Sequence, residues 1–419
     1  MSKKRRKRAG AGVDDPQALG DVILAAARKQ GYGGGHKYDP VITEMELENG
    51  IVLNLRSILA EYRDLSPEGR QEKITECAGV IAHHEALDVH DWGKVQGRVV
   101  PHIRPTAELD ALNIKSKLCN DPTRAYRQCW TGWATEFVVD VPGGMLIASQ
   151  DALDHWALPS DTVLDSAKKN LMERSRSPFQ LIQPGVYAST WHDGHDAARM
   201  LLPDLIRRLP VKGAHVAAAP HCHYLAITGS EDVAGLLAMT SFLEAQLEVF
   251  PHSWNGRAMW LDGTTWRHFM PPKDHPAYCR LLWLDYDASD RDARMQESGL
   301  QKLLLRDQGD AAPIVAKHVV LGHGRPPQPV STCCWIREHG PWLLPIADSV
   351  SFASERNILG LAPWSRVTQV CGDMMQAQGM FPERYLVTNF PTAEQLAAIG
   401  LQSQDEVAAR VIAERETGR

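Results

Sequence analysis

Phe137-Val138-Val139-Asp140-Val141-Pro142-Gly143-Gly144-Met145-Leu146-Ile147-Ala148 sets two apolar runs on either side of a Pro-Gly-Gly turn, and helix-forming residues follow from Ser160-Asp161 through Val163, Ala167 and Leu171. Apolar runs joined by so short a turn fold back on each other as a hairpin. The order strand, strand, helix recurs along the chain. Upstream, residues 41–47 and 51–53 flank Glu48-Asn49-Gly50, and two helices follow, the second opening at Ser66-Pro67-Glu68. Downstream, 179–182 and 186–191 flank Gln183-Pro184-Gly185, followed by a helix near 197–208 that Pro203 should split. Strands at 216–219 and 224–228, a long helix at 231–250 and a hairpin about Asp262-Gly263 continue the series. Hairpins alternating with helices, in place of a regular β-α-β repeat, predict an α+β fold in which antiparallel hairpins mix with helices.

Two α+β domains are expected. The prolines and charges of Met270-Pro271-Pro272-Lys273-Asp274-His275-Pro276 bar a regular element there and mark the boundary. The reading is a basic tail at 1–15, a first domain at 16–270 and a second at 271–419. In the second, strands are expected at 281–285, 314–321, 331–336 and 343–352, with helices near 291–306, 367–378 and 392–399 and a last surface helix beyond Gln402.

The chain's 419 residues carry a formal charge of -6. Lys3, Lys4, Arg5, Arg6, Lys7 and Arg8 supply +6 of it, so everything after them carries -12. An acidic body disfavours an extended nucleic-acid groove, which leaves only weak binding through the basic tail as a nucleic-acid reading. No window reaches the roughly 18 to 20 consecutive apolar residues of a membrane span. The basic start lacks the apolar segment of a secretory signal. The eight cysteines include no Cys-x-x-Cys pair, so reduced thiols and a cytoplasmic setting are expected.

The densest polar stretch runs from Trp191-His192-Asp193-Gly194-His195-Asp196-Ala197-Ala198-Arg199 to His215 and Pro220-His221-Cys222-His223. Imidazoles and carboxylates at this density suit a divalent metal, with His192, His195, His221 and His223 as candidate ligands. Hydrogen-bonded structure explains the same residues: Asp193-Gly194 as a turn, Asp196 as the cap of the following helix, Arg199 paired back to a carboxylate. His83-His84-Glu85 with Asp88, His90 and Asp91 reads as a solvated helix end. Cys333-Cys334 reads as inert core thiols.

Val99-Val100-Pro101-His102-Ile103-Arg104, Ala167 with Asn170-Leu171, Asp193-Gly194-His195-Asp196-Ala197-Ala198-Arg199 and Ala219-Pro220-His221 resemble, in order and spacing, the YtpQ-like bacterial proteins, a domain of unknown function, over about residues 40–270. The resemblance implies a cytosolic α+β protein with no agreed activity. It puts weight on Arg104, Asp193, Asp196 and Arg199, as an ion-pair cluster or as a polar pocket for an anionic ligand. His192, His195 and His223 fall at its variable positions.

The functional expectation is therefore a non-enzymatic module that binds a protein partner or a small ligand, with no cofactor. The alternative is a metal-assisted hydrolase built on the His/Asp cluster at 192–223, so whether the chain is an enzyme stays open at this point.

Overall fold

The computed structural model describes residues 15–40, 43–48, 51–83, 89–120, 123–141, 144–176, 179–249, 254 and 256–417. The basic run at 3–8, the Asn49-Gly50 and Pro142-Gly143 turns and residues 84–88 lie outside them. The fold is α+β, with most strand pairs antiparallel. It divides into two compact units. One gathers Met1–Pro101, Phe137–Arg174 and Trp191–Gly194; the other gathers His102–Glu136, Ser175–Thr190 and His195–Arg419.

In the first unit the strands His36–Asp39, Glu44–Leu47, Ile51–Asn54 and Gly144–Ile147 pair in that order, and the order continues through strands Trp133–Val141 and Val99–Pro105. These last two strands belong to this unit over only part of their length. The Phe137 hairpin forms as expected, Val141 facing Gly144 and Val139 facing Leu146. Glycine at 144 is required by its other neighbour: a Cβ there would lie 2.4 Å from the Val52 carbonyl oxygen. Helices Pro16–Lys29 and Pro67–Ala82 begin on side-chain caps, Asp15 accepting from Ala18 N–H and Ser66 from Gly69 N–H, which satisfies amide groups the helix cannot pair internally. Their apolar stripes, Leu19, Ile23 and Ala27 on one and Ile74, Cys77 and Ile81 on the other, meet Met45, Leu53, Phe137 and Val139 of the sheet in one core.

The second unit holds a six-stranded antiparallel sheet in the order Thr265–His268, Met259–Asp262, His215–His221, Tyr224–Gly229, Val186–Ala188 and Gln180–Gln183. Two smaller four-stranded sheets lie further along the chain. Pro203 splits its helix as expected, into a 3-10 turn at Ala197–Leu201 and a short α-helix at Pro203–Ile206. Residues 281–285 are not a strand: they belong to the 31-residue helix Tyr278–Gln308. A five-residue apolar run is too short to separate the two periods, and the choice is made by Leu281, Leu284 and Ala288, which are buried at helical spacing. The same helix removes the boundary expected at Pro271-Pro272. Ala277, Leu281 and Leu284 share one core with Leu236, Leu243 and Leu247 of helix Val233–Val249, so both sides of the proline segment fall in a single unit.

Candidate active site

Strand Val99–Pro105 lies beside strand Trp133–Val141. The bonds Asp140 N–H to Arg98 O and Thr106 N–H to Gly132 O bracket the pair eight residues apart on each strand. The strands are therefore antiparallel, and His102 lies directly opposite Glu136. Directly opposite residues share a face, and so does Arg104, two residues on from His102. Ala134, opposite Arg104, has no bulk to compete for the space.

The result is a charged knot at the start of the second unit. Glu136 is fully buried. Its Oε1 accepts from His102 Nδ1 at 3.0 Å and from Arg104 Nε at 2.8 Å, and its Oε2 accepts from Arg124 Nη1 at 3.3 Å. Arg104 also donates through Nη1 to Glu108 at 2.7 Å, on the first turn of helix Thr106–Cys119. Asn113 of that helix accepts from Arg124 N–H and donates to Arg124 O, which fixes the backbone that carries the second guanidinium. Burial alone would raise the Glu136 carboxyl, but the Arg104 and Arg124 charges and the His102 bond outweigh it and hold the group well below the ordinary carboxylate range.

An ionised Glu136 only accepts, so His102 Nδ1 carries the proton and Nε2 is left for other work. That nitrogen is buried and makes no hydrogen bond of ordinary geometry. The ring also interacts with the Cys222 thiol. Burial and the Arg104 charge act to lower the His102 pKa, yet the contacts with Cys222 and Glu136 leave it raised.

Cys222 and His223 form the two-residue turn between strands His215–His221 and Tyr224–Gly229. The turn is held at three points. Ala197 N–H donates to Cys222 O at 3.1 Å, His223 N–H donates to His221 Nδ1 at 3.3 Å, and Trp254 N–H donates to Pro220 O at 2.9 Å. Cys222 Sγ lies 3.3 Å from His221 Nδ1. Trp254, His221 and His223 stack with centroids 5.7 and 5.1 Å apart, while His195 meets His102 edge-on at 6.0 Å. Burial pushes the Cys222 thiol up, and the neighbouring His221 and His223 together with the His102 bond pull it well below the ordinary thiol range. The other buried thiols do the opposite: burial pushes Cys77 up to about 11 and raises Cys333 further. Cys333 is an inert core thiol as expected, whereas its neighbour Cys334, expected in the core as well, is exposed.

The residues singled out from the sequence divide between the units. His195, Asp196, Arg199, His221, His223 and Arg104 belong to the second, and His192 and Asp193 to the first. Arg199, fully buried, donates through Nε to Ser175 Oγ at 2.9 Å. Asp196 is not a helix cap: its backbone is already helical and its side chain accepts no capping bond. In the first unit the Asp193 charge acts on Asp140, which is ion-paired with Arg174. Gly194 takes a positive φ of 80°, as a turn there requires. Donor atoms of His221, Cys222 and His223 lie within 4.8 Å of one another, close enough to share an ion.

Glu136, Cys222, Glu108, Arg124 and Trp254 were not singled out from the sequence. The one local signal was a glutamate inside the apolar run Trp133-Ala134-Thr135-Glu136-Phe137-Val138-Val139, since a buried carboxylate demands partners.

No family model, curated protein or solved structure matches the chain. Among the described residues, no helix is long and apolar enough to cross a membrane.

Proposed function

We propose that the chain is an enzyme of the cysteine-dependent acyl-transfer class, with Cys222 as nucleophile, His102 as general base and Glu136 as the carboxylate that orients the base. The observation that carries this reading is His102 itself. One ring nitrogen is fixed on a buried ionised carboxylate, the other is buried and makes no hydrogen bond of ordinary geometry, and the ring interacts with a thiol whose pKa is lowered. Nucleophile, base and orienting acid in this order are the parts that activate a weak nucleophile. The Cys222 proton passes to His102 Nε2, and the thiolate attacks the carbonyl carbon of an ester, thioester or amide. The C–S bond forms as the C–O, C–S or C–N bond breaks, and His102 returns its proton to the leaving group. Water, deprotonated by the same nitrogen, then releases the acid and restores the thiol. Glu136 keeps its charge throughout and stabilises the imidazolium.

A metal ion on His221, Cys222 and His223 is the competing use of the same residues. Two features favour the thiol. Lone pairs lie in the ring plane, and the His221 and His223 planes are within 16° of parallel, so they do not converge on one point. The Nδ1 lone pair of His221 is also already met by His223 N–H.

The test combines three measurements on the full chain. Ultraviolet titration of thiolate absorbance against Cys222→Ala is expected to show a Cys222 thiolate at neutral pH that His102→Gln shifts upward. A screen of activated esters and thioesters is expected to show turnover that Cys222→Ala abolishes while the fold is kept. Metal analysis is expected to find no metal ion that depends on Cys222. A Cys222 that titrates like an ordinary thiol, turnover indifferent to Cys222→Ala, or a tightly bound zinc that is lost in Cys222→Ala would each overturn the reading. Kinship with the YtpQ-like proteins over residues 40–270 and a cytoplasmic location belong to the same proposal, and both rest on residue pattern alone.

A further inference from the structure

The first unit carries a second cluster, unrelated to Cys222. Helix Gln150–Trp156 starts on the Ser149 cap and places Asp151 and His155 four residues apart, hence on one face. His90 comes to that face from the segment after residue 88, which is tied to the helix by Trp156 Nε1–H to Val89 O at 2.8 Å. His90 Nε2 lies 3.0 Å from Asp151 Oδ2, and the His90 and His155 rings are 4.7 Å apart. His155 Nδ1 donates to the Asp151 carbonyl at 2.8 Å, so its Nε2 carries the lone pair. An imidazole held by its other nitrogen on a backbone carbonyl has the orientation and tautomer of a metal ligand. One donor atom from each of the three residues lies within 4.8 Å of the others.

We propose that His90, Asp151 and His155 form a binding site for a divalent transition-metal ion of the zinc class. Two imidazoles and one carboxylate are the donor set that such ions accept, and too few oxygens for calcium or magnesium. The side chains are 42%, 66% and 57% exposed, so they can turn inward to bonds of about 2.0 to 2.2 Å. Solvent can supply the remaining coordination positions. The ion replaces the proton shared by His90 and Asp151 and clips the 89–92 segment to the helix. Trp92 and Trp156, 5.1 Å apart, sit beside it as a built-in reporter.

Zinc titration of the full chain by calorimetry tests this, with nickel quenching of tryptophan fluorescence in parallel. His155→Ala and Asp151→Asn are each expected to weaken binding by more than about tenfold, as losing a ligand should cost no less than losing a second-shell partner. Both should also remove the quenching, while Cys222→Ala leaves both signals intact. Wild-type protein that binds no zinc at micromolar concentration, or binding that survives both His155→Ala and Asp151→Asn, would refute the site. So would binding lost in Cys222→Ala, which would assign the ion to the His221 turn. Circular dichroism of each variant separates lost binding from lost folding, and these exposed positions should leave the fold unchanged.

Discussion

Glu136→Gln is the substitution for which the structure sets the clearest expectation. The change keeps the shape of the side chain and removes its charge. Two carboxylate oxygens currently serve three donors, His102 Nδ1, Arg104 Nε and Arg124 Nη1. An amide retains one acceptor oxygen and replaces the other with an NH2 group, which must face a donor whichever way the amide turns. Removing one partner of a buried ion pair costs about 3–5 kcal/mol. Arg104 keeps Glu108, and the Arg104 and Arg124 side chains retain 18% and 17% exposure, so the lower end of that range, about 3 kcal/mol, is the expected loss. Urea unfolding followed by circular dichroism and by tryptophan fluorescence measures it, with two probes because a chain of two compact units need not unfold in one step. The same variant should raise the Cys222 thiol pKa while the pull of His221 and His223 remains, because a His102 ring without its carboxylate is protonated less readily and a neutral ring stabilises the thiolate less. A stability change under about 0.5 kcal/mol, the size typical of surface substitutions, together with an unchanged thiolate titration, would refute both the structural and the catalytic role given to Glu136.

The pH dependence has a definite sign. The Glu136 pKa is lowered by folding, so its stabilisation is complete above its unfolded value near 4.3 and is lost as pH falls through the folded value. The His102 pKa is raised, so its stabilisation is complete below about 6.5 and is lost as pH rises through the folded value. The stability gap between wild type and Glu136→Gln should therefore be widest between those limits and shrink in acid; a gap that grows on acidification would be inconsistent with the pairing. Arg384 offers an independent check in the second unit. It is fully buried and donates to Gln296 Oε1 and to the carbonyls of Ala293, Ala316 and Leu343, while burial lowers its pKa to about 10. Arg384→Met would strand those acceptors and is expected to cost about 3 kcal/mol in the same urea assay, the penalty of leaving buried polar groups unpaired; a neutral result would mean that water replaces the guanidinium.

Much of the architecture is legible from neighbours in the chain. The 137–148 hairpin, the Ser66 cap, the split at Pro203 and the alternation of hairpins with helices all follow from turn chemistry and side-chain period, which act over a few residues. Where such local signals were ambiguous the prediction failed. Residues 281–285 could satisfy either period, and only the packing of Leu281 and Leu284 against helix Val233–Val249 selects the helix. The proline segment at 271–272 does interrupt regular structure, but a compact unit is defined by which apolar faces share a core, and those faces come from both sides of it.

The site shows the same division. The sequence alone placed polar chemistry at 191–199 and at 220–223, because histidine and aspartate density is a local property. It offered no means of joining His102 to Glu136, thirty-four residues away, or either of them to Cys222. Those pairings depend on strand register, which puts opposite residues on one face at contact distance, and on a hairpin turn whose position is set by backbone bonds from Ala197 and Trp254. Residue types determine what chemistry a chain can do; only the tertiary structure decided that a carboxylate, an imidazole and a thiol from three distant segments share one buried volume, where low dielectric makes their mutual effects large.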